Sequence, residues 1–522
     1  MLVAAPAVFV GVFYLWPLVT LLTTVTDANS IGNALGTPGL GRVLWFTLWQ
    51  ALASTAATMV VGFVPAYVLS RYRFGGRAVV LAVVTVPFML PTVVVGAAFL
   101  ALLPRSMHGT VWAVVIAHVF FNLAVVVRLV GAMWAVLPHD LTAAARTLGA
   151  TPSQVLRYVV LPLLAPALWA AGAVVFLFTF TSFGVVKLLA GPANPTLEVE
   201  IARRATQLGD VDGAAVLSIV QLIALAGVVA VSVRWQRRAT VTMTGHVAPR
   251  RARNRAQRRA VAITALGLFT VMLAPMVALV SRSVHVGGRW TLAAWRTLGR
   301  HEVRPGIGLG VDPIASLGAS LRFALVATAI SVTAGAIAAL AIAAAQRRGR
   351  LLDLGIMLPL GTSAVTIGFG MLITFDAAPF DWRAAWWLVP VGHALVATPF
   401  VVRVVLPALR SIPTDRRAAA ASLGASPLRA WAEIDVRTLR RPLLLSAGFA
   451  AAISMGEFGA TTFLTRSGRE TLPIAIDRLL ARTGDVPRAQ GFAVATMLLL
   501  VTGAIIVAVE ALTREATDAQ RS

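Results

Sequence analysis

Catalysis, nucleotide binding and metal binding each need particular side chains at particular spacings, and this chain carries few of them. It has no His-Glu-x-x-His pair, no Gly-x-Ser-x-Gly elbow and no cluster of carboxylates. Lys187 is the only lysine, and Leu188 follows it inside an apolar run. A Walker A loop needs a lysine followed by Ser or Thr, so no such ATP site is expected here. Cysteine is absent, which excludes disulfides and thiolate metal sites. The polar residues that remain of interest lie inside apolar stretches. Glu457 sits between Gly456 and Gly459, and an acid at that depth suits either a cation or a hydrogen bond in a kinked helix. Arg128 and Arg403 are intramembrane arginines that either approach a gate or snorkel from helix ends. His118 and His393, one in each half of the chain, are expected to make helix-packing hydrogen bonds rather than to ligate metal.

The elements that hold these residues follow from composition. Of 522 residues 58% are hydrophobic and 13% are charged, where an ordinary soluble domain carries about 25% charged residues. So much apolar surface requires the bilayer as solvent. A helix needs about 20 apolar residues to cross a core of about 30 Å. Candidate spans are 4–26, 44–70, 78–103, 109–136, 162–186 and 214–233, then 261–282, 318–345, 351–375, 384–409, 442–464 and 490–512. The runs are continuous rather than alternating, which excludes a β-barrel. The expected fold is therefore an all-α membrane protein of about twelve transmembrane helices. No cleavable signal peptide is evident in the first apolar stretch, which reads as a retained helix. The net charge of +24 would suggest nucleic acid in a soluble protein. Here the basic residues lie between apolar runs, so no nucleic-acid partner is expected, and tight loops such as Arg347, Arg348 and Arg350 place both termini in the cytoplasm. The stretch from Arg234 to Arg259 holds nine arginines and no apolar run, and reads as a linker. The expected domains are 1–233, a cytoplasmic linker at 234–260, a second half at 261–512 and a cytoplasmic tail at 513–522.

The halves repeat each other 275 residues apart. His118 falls on His393, Val126-Val127-Arg128 on Val401-Val402-Arg403, and Pro138 on Pro413. Asp140 matches Asp415, Leu148-Gly149-Ala150 matches Leu423-Gly424-Ala425, and Phe183-Gly184 matches Phe458-Gly459. An even number of helices per unit makes the two six-helix repeats parallel, related by an axis near the membrane normal.

The best-matched segments are two loops, 137–152 and 412–427. Each reads as a short helix beside the membrane. Asp140 or Asp415 suits the positive end of its dipole. The alanines Ala143, Ala144 and Ala145, or Ala418, Ala419 and Ala420, carry the highest helix propensity. Gly149 or Gly424 suits a chain reversal after the last turn. A second short helix can start at Thr151-Pro152 or Ser426-Pro427, with the hydroxyl as cap and proline at the first position. An alanine-lined surface beside a glycine lets the backbone of another protein approach closely.

These loops resemble the Glu-Ala-Ala motif of binding-protein-dependent ABC importer permeases, in which the triplet is followed three residues later by glycine. The resemblance covers both halves and implies a type I importer permease fold in the plasma membrane of a prokaryote. It implies that the loops are coupling helices docking on a cytoplasmic ABC ATPase, present in two copies, and that an extracytoplasmic solute-binding protein delivers the substrate. ATP would be bound by the partner, with no cofactor or metal on this chain and no enzymatic activity of its own. The sequence departs from the motif at its glutamate, which is Ala143 in one copy and Ala418 in the other, and Arg437 stands where the first copy has Pro162. The fused arrangement resembles the permeases for iron(III) and thiamine. Thr181, Ser182, Glu457, Thr461 and Thr462 are then expected along the pathway, where Glu457 would favour ferric ion or thiamine if it meets a cation. The alternative is a 6+6 secondary transporter driven by an ion gradient. That class keeps its charged loop between helices two and three, where this chain has Arg71–Arg77 without an acid.

Overall fold

The computed structural model describes residues 3–25, 32, 36–37, 39–238, 249–299, 302–304, 307–308, 311–376 and 380–518. Apart from short helical turns at Arg105–Met107, Ala293–Arg296 and Pro427–Ala430, the described helices fall into two series of ten. The first comprises α1 (Ala4–Thr24), α2 (Leu40–Arg71), α3 (Arg77–Met89), α4 (Thr92–Leu102), α5 (Val111–Ala135), α6 (His139–Thr147), α7 (Pro152–Phe180), α8 (Gly184–Leu189), α9 (Leu197–Arg203) and α10 (Val211–Arg238). The second comprises α11 (Arg255–Ser283), α12 (Pro313–Ala344), α13 (Gly349–Gly361), α14 (Ala364–Thr374), α15 (Leu388–Arg410), α16 (Thr414–Ser422), α17 (Arg437–Gly456), α18 (Gly459–Leu464), α19 (Leu472–Leu480) and α20 (Asp485–Asp518). Each helix of the first series has its counterpart ten places on. Among the described residues strands are confined to pairs of two or three residues, including β1 (Tyr72–Arg73) parallel to β2 (Arg250–Arg251). Part of the arginine-rich linker, 239–248, and the last residues of the tail, 519–522, lie outside the described residues.

Among the described residues nine helices are long and apolar enough to cross a bilayer, and two bent pairs raise the count to eleven. The twelfth expected span is α17 with α18. Arg437, Arg440 and Arg441 at the start of α17 dilute its apolar character, and a break at Glu457 divides it from α18. The spans expected at 78–103 and 351–375 are bent rather than continuous. Helices α3 and α4 meet at 105°. Pro91 forces Leu90 into extended backbone, with ψ at 146°. Helices α13 and α14 meet at 102° although the second half has no proline at the corner. There the Ser363 hydroxyl accepts from Val365 N–H at 3.0 Å and starts α14 afresh. A proline and a serine cap thus build the same corner, and a hydropathy profile passes over both.

Packing repeats with the sequence. A Cβ on Gly62 of α2 would lie 2.7 Å from Val126 Cγ1 of α5, and one on Gly335 of α12 would lie 2.6 Å from Val401 Cγ1 of α15. Any larger residue would force these helix pairs apart, as expected where small residues set interhelical distance in a membrane. The first helix of each series crosses to the other half. Tyr14 Oη of α1 is hydrogen-bonded to Thr362 Oγ1 at 2.5 Å, and α1 also packs on α14 at Gly370. Reciprocally, Leu268 and Met272 of α11 share one core with Val80, Val95 and Phe99. Boundaries drawn along the chain therefore separate two sequence repeats whose first helices are exchanged in space. Hydropathy gives the length of a helix but not its neighbour.

Candidate functional site

The two repeated loops have the same local structure. Helix α6 ends where Gly149 N–H donates to Arg146 O and Ala150 N–H to Ala145 O, each at 3.0 Å. Helix α16 ends with Gly424 N–H donating to Ala421 O and Ala425 N–H to Ala420 O, again at 3.0 Å. These are Schellman closures, which need a left-handed residue, and φ is +83° at Gly149 and +82° at Gly424. Space around both glycines is open, so conformation rather than crowding selects glycine within this chain. Next comes a capping box at Thr151 and Gln154, with Ser426 Oγ accepting from Arg429 N–H in the second copy. One turn of π-helix follows each loop, at Leu156–Val160 and Trp431–Val436, and joins it to the membrane helix beyond.

Asp140, Ala143 and Ala144 are exposed and Ala145 is half-buried; Asp415, Ala418 and Ala419 are exposed and Ala420 is half-buried. Each loop thus exposes an alanine face. Its tip is an apolar residue that motif reading passed over, Leu148 at 87% exposure and Leu423 at 88%. Repetition of an exposed leucine beside each glycine was the available signal. The first loop lies at the Arg71 end of α2, where Tyr67, Arg71, Trp134, Thr142 and Arg146 line a cavity of about 290 Å³. The pairing of β1 with β2 brings the described part of the linker to that same end.

The pathway residues expected from sequence lie at the two matching breaks, after α7 and after α17. Phe183 and Phe458, equivalent by the repeat, meet there with ring centroids 4.9 Å apart, which brings the two breaks together. Behind them each half holds a buried histidine. His118 Nδ1 is hydrogen-bonded to Ser54 Oγ at 3.0 Å and Nε2 to Ser182 Oγ at 2.8 Å. His393 Nδ1 is hydrogen-bonded to Ser454 Oγ and Nε2 to Thr461 Oγ1, both at 2.8 Å. Glu457 Oε1 accepts from Ala460 N–H at 2.9 Å, and Oε2 accepts from Thr461 N–H at 2.9 Å and Thr461 Oγ1 at 2.5 Å. The carboxylate therefore caps α18, at the positive end of that helix, with His393 Nε2 3.4 Å away. Of the two readings of Glu457, the geometry matches the hydrogen bond in a broken helix. Thr181 and Thr462 return their hydroxyls to Leu177 O and Phe458 O of their own turns.

Two polar contacts between the halves were not foreseen. Lys187 Nζ of α8 lies 3.3 Å from Asp477 Oδ2 of α19, and sits 5.4 Å and 5.8 Å from the ring centroids of Phe183 and Phe458. Glu198 of α9, fully buried, accepts from Ser363 Oγ at 2.7 Å, and from Gln221 Nε2 of α10. A charge interrupting the apolar run of α19 was the only sequence signal for Asp477. Arg128 is exposed and donates through Nη2 to Thr85 Oγ1 at 2.8 Å, and Arg403 is also exposed.

The chain is thus a helical bundle with two like-built loops and two helix breaks that meet at Phe183 and Phe458. The family model described as "Binding-protein-dependent transport system inner membrane component" matches residues 58–240. A thiamine transport system permease protein of Salmonella typhimurium is 26% identical over 499 residues, covering 91% of this chain and 89% of that protein. Its counterpart from Escherichia coli is 26% identical over 500 residues, with the same shares. A Salmonella typhimurium protein provisionally assigned to 2-aminoethylphosphonate transport as its permease is 30% identical over 185 residues, 35% of this chain and 69% of that protein. The chain belongs to the family of binding-protein-dependent ABC importer permeases. It is a transport subunit rather than an enzyme, and its family works with a separate ATPase.

Proposed function

We propose that this fused permease imports thiamine or a close chemical relative, driven by two copies of a cytoplasmic ABC ATPase that dock on α6 and α16. An extracytoplasmic solute-binding protein delivers the substrate, both termini face the cytoplasm, and ATP is bound by the partner alone. The observation that carries the energy coupling is the identical build of the two loops, with φ of +83° and +82° at Gly149 and Gly424 and an exposed leucine beside each. The halves would part along the Phe183–Phe458 contact as ATPase closure pulls on the loops.

For the substrate, support comes from a likeness to thiamine permeases that runs nearly the full length of both chains. Iron(III), the other substrate expected from sequence, has less in its favour. The carboxylate that would have met it, Glu457, is engaged as a helix cap, and the two relatives above that match nearly the full chain are named for thiamine. The test is uptake of labelled thiamine and of labelled ferric ion into cells that express the permease with its co-purifying ATPase and binding protein. Saturable thiamine uptake, lost when the permease is deleted, is expected. Ferric uptake without thiamine uptake would overturn the substrate assignment.

A further inference from the structure

Beside the α11 crossing, a crevice of about 900 Å³ opens between α3 and α11. That size is near the top of the roughly 300–1,000 Å³ typical of ligand sites. Its rim carries Arg73 from β1, Arg251 from β2 and Arg258 from α11, and no acidic residue lines it. Its floor is apolar, formed by Val80, Val261, Ala265 and Phe269 among others. The rim stands at the coupling-loop end of the molecule, because β1 directly follows Arg71, which helps line the cavity beside α6. From the rim the floor continues along surfaces that face outward, with Val79, Ile263 and Leu266 all exposed.

An arginine rim opening onto an apolar lateral surface at a membrane interface is complementary to one kind of molecule. A soluble anion would use the rim and leave the floor bare. A docked protein would have to cover residues that already lie in a stretch of α11 apolar enough to cross the bilayer. A phospholipid places its phosphate on the arginines and its acyl chains on the floor.

We propose that this crevice binds one anionic phospholipid of the leaflet on the coupling-loop side, clamped where the linker strand β2 meets β1. The lipid would brace the junction between the halves at the point where α11 crosses from one to the other.

Native mass spectrometry of the permease–ATPase complex, in micelles supplemented with phosphatidylglycerol or with phosphatidylcholine, tests this. The wild type should retain phosphatidylglycerol in preference. Each arginine lost should weaken retention about five-fold, the equivalent of one charge near an anionic surface. Arg258→Gln alone should therefore reduce it measurably, and the triple change Arg73→Gln, Arg251→Gln, Arg258→Gln should abolish the preference. Ala265→Trp, which fills the floor and keeps the rim, should also reduce it. Arg289→Gln, in the short antiparallel pair His285–Val286 and Arg289–Trp290 beyond the far end of α11, should leave it intact. Equal retention of both lipids by the wild type would overturn the proposal. So would a preference that survives Arg258→Gln and Ala265→Trp, or displacement of the lipid by inorganic phosphate as readily as by phosphatidylglycerol.

Discussion

The two repeated loops are near copies of each other, while the two helix breaks that they would drive on the proposed function are not. Both loops close on a left-handed glycine, expose a leucine and lead into a turn of π-helix. At the breaks, equivalent histidines meet different partners: His118 reaches Ser182, and His393 reaches Thr461 beside the capping carboxylate of Glu457. The cross-half contacts are likewise unpaired by the repeat. Lys187 and Asp477 have Thr462 and Ala202 at their equivalent positions, and Glu198 has Pro473. On the proposed function the difference follows from what each region would face: two copies of one ATPase would present two identical grooves, whereas a single asymmetric solute passing between the halves would impose no such equality on the residues around it.

The largest expected effect tests the equality of the loops. Gly149→Leu with Gly424→Leu places side chains at φ near +80°, a conformation costing about 1–2 kcal/mol per residue, and adds bulk to the docking face. Uptake should fall to background in the double variant, while each single variant should lose a similar share. Membrane abundance should stay near wild type, since both glycines face open space. Assaying uptake and abundance on the same cells checks this. Full uptake in the double variant, or a loss confined to one loop, would break the comparison.

A smaller effect sharpens the inequality of the breaks. Glu457→Gln leaves an amide where Oε2 accepts two hydrogen bonds, and should destabilise the permease by about 1–3 kcal/mol. Ser182→Ala removes one partner of His118, and a single lost hydrogen bond is worth about 0.5–1.5 kcal/mol. Thermal unfolding of the purified variants should therefore show a larger shift for Glu457→Gln, with uptake falling only as abundance falls. Loss of uptake at full abundance and unchanged stability would instead assign the carboxylate to the solute.

Much of this architecture is legible in the sequence because it depends on periodic or local signals. Apolar run lengths give the helices, and the 275-residue register gives the two series. The alanine-glycine pattern gives the loops down to the residue that takes positive φ. What escaped depends on partners distant in the chain. The corners at Pro91 and Ser363 interrupt runs that remain apolar throughout. The crossing of α1 and α11 leaves no trace in hydropathy, since lipid and a neighbouring helix are equally apolar. For Glu457 the sequence offered both a cation partner and a hydrogen bond in a kinked helix, and choosing between them needed the start of α18 at Gly459. Lys187 stood out as a lone lysine, but its partner Asp477 lies 290 residues away in the other half.

Docking of the ATPase on both loops is tested most directly by crosslinking. The chain has no cysteine, so Leu148→Cys and Leu423→Cys each introduce a single reactive thiol at a loop tip. With the ATPase co-expressed, a short bifunctional thiol-to-amine reagent should join either variant to the ATPase, at comparable yield from the two loops. An impermeant thiol reagent should label both positions in inverted vesicles and neither in intact cells. Crosslinking from one loop alone, from neither, or labelling from outside intact cells would contradict the assignment of these loops as twin ATPase-coupling elements.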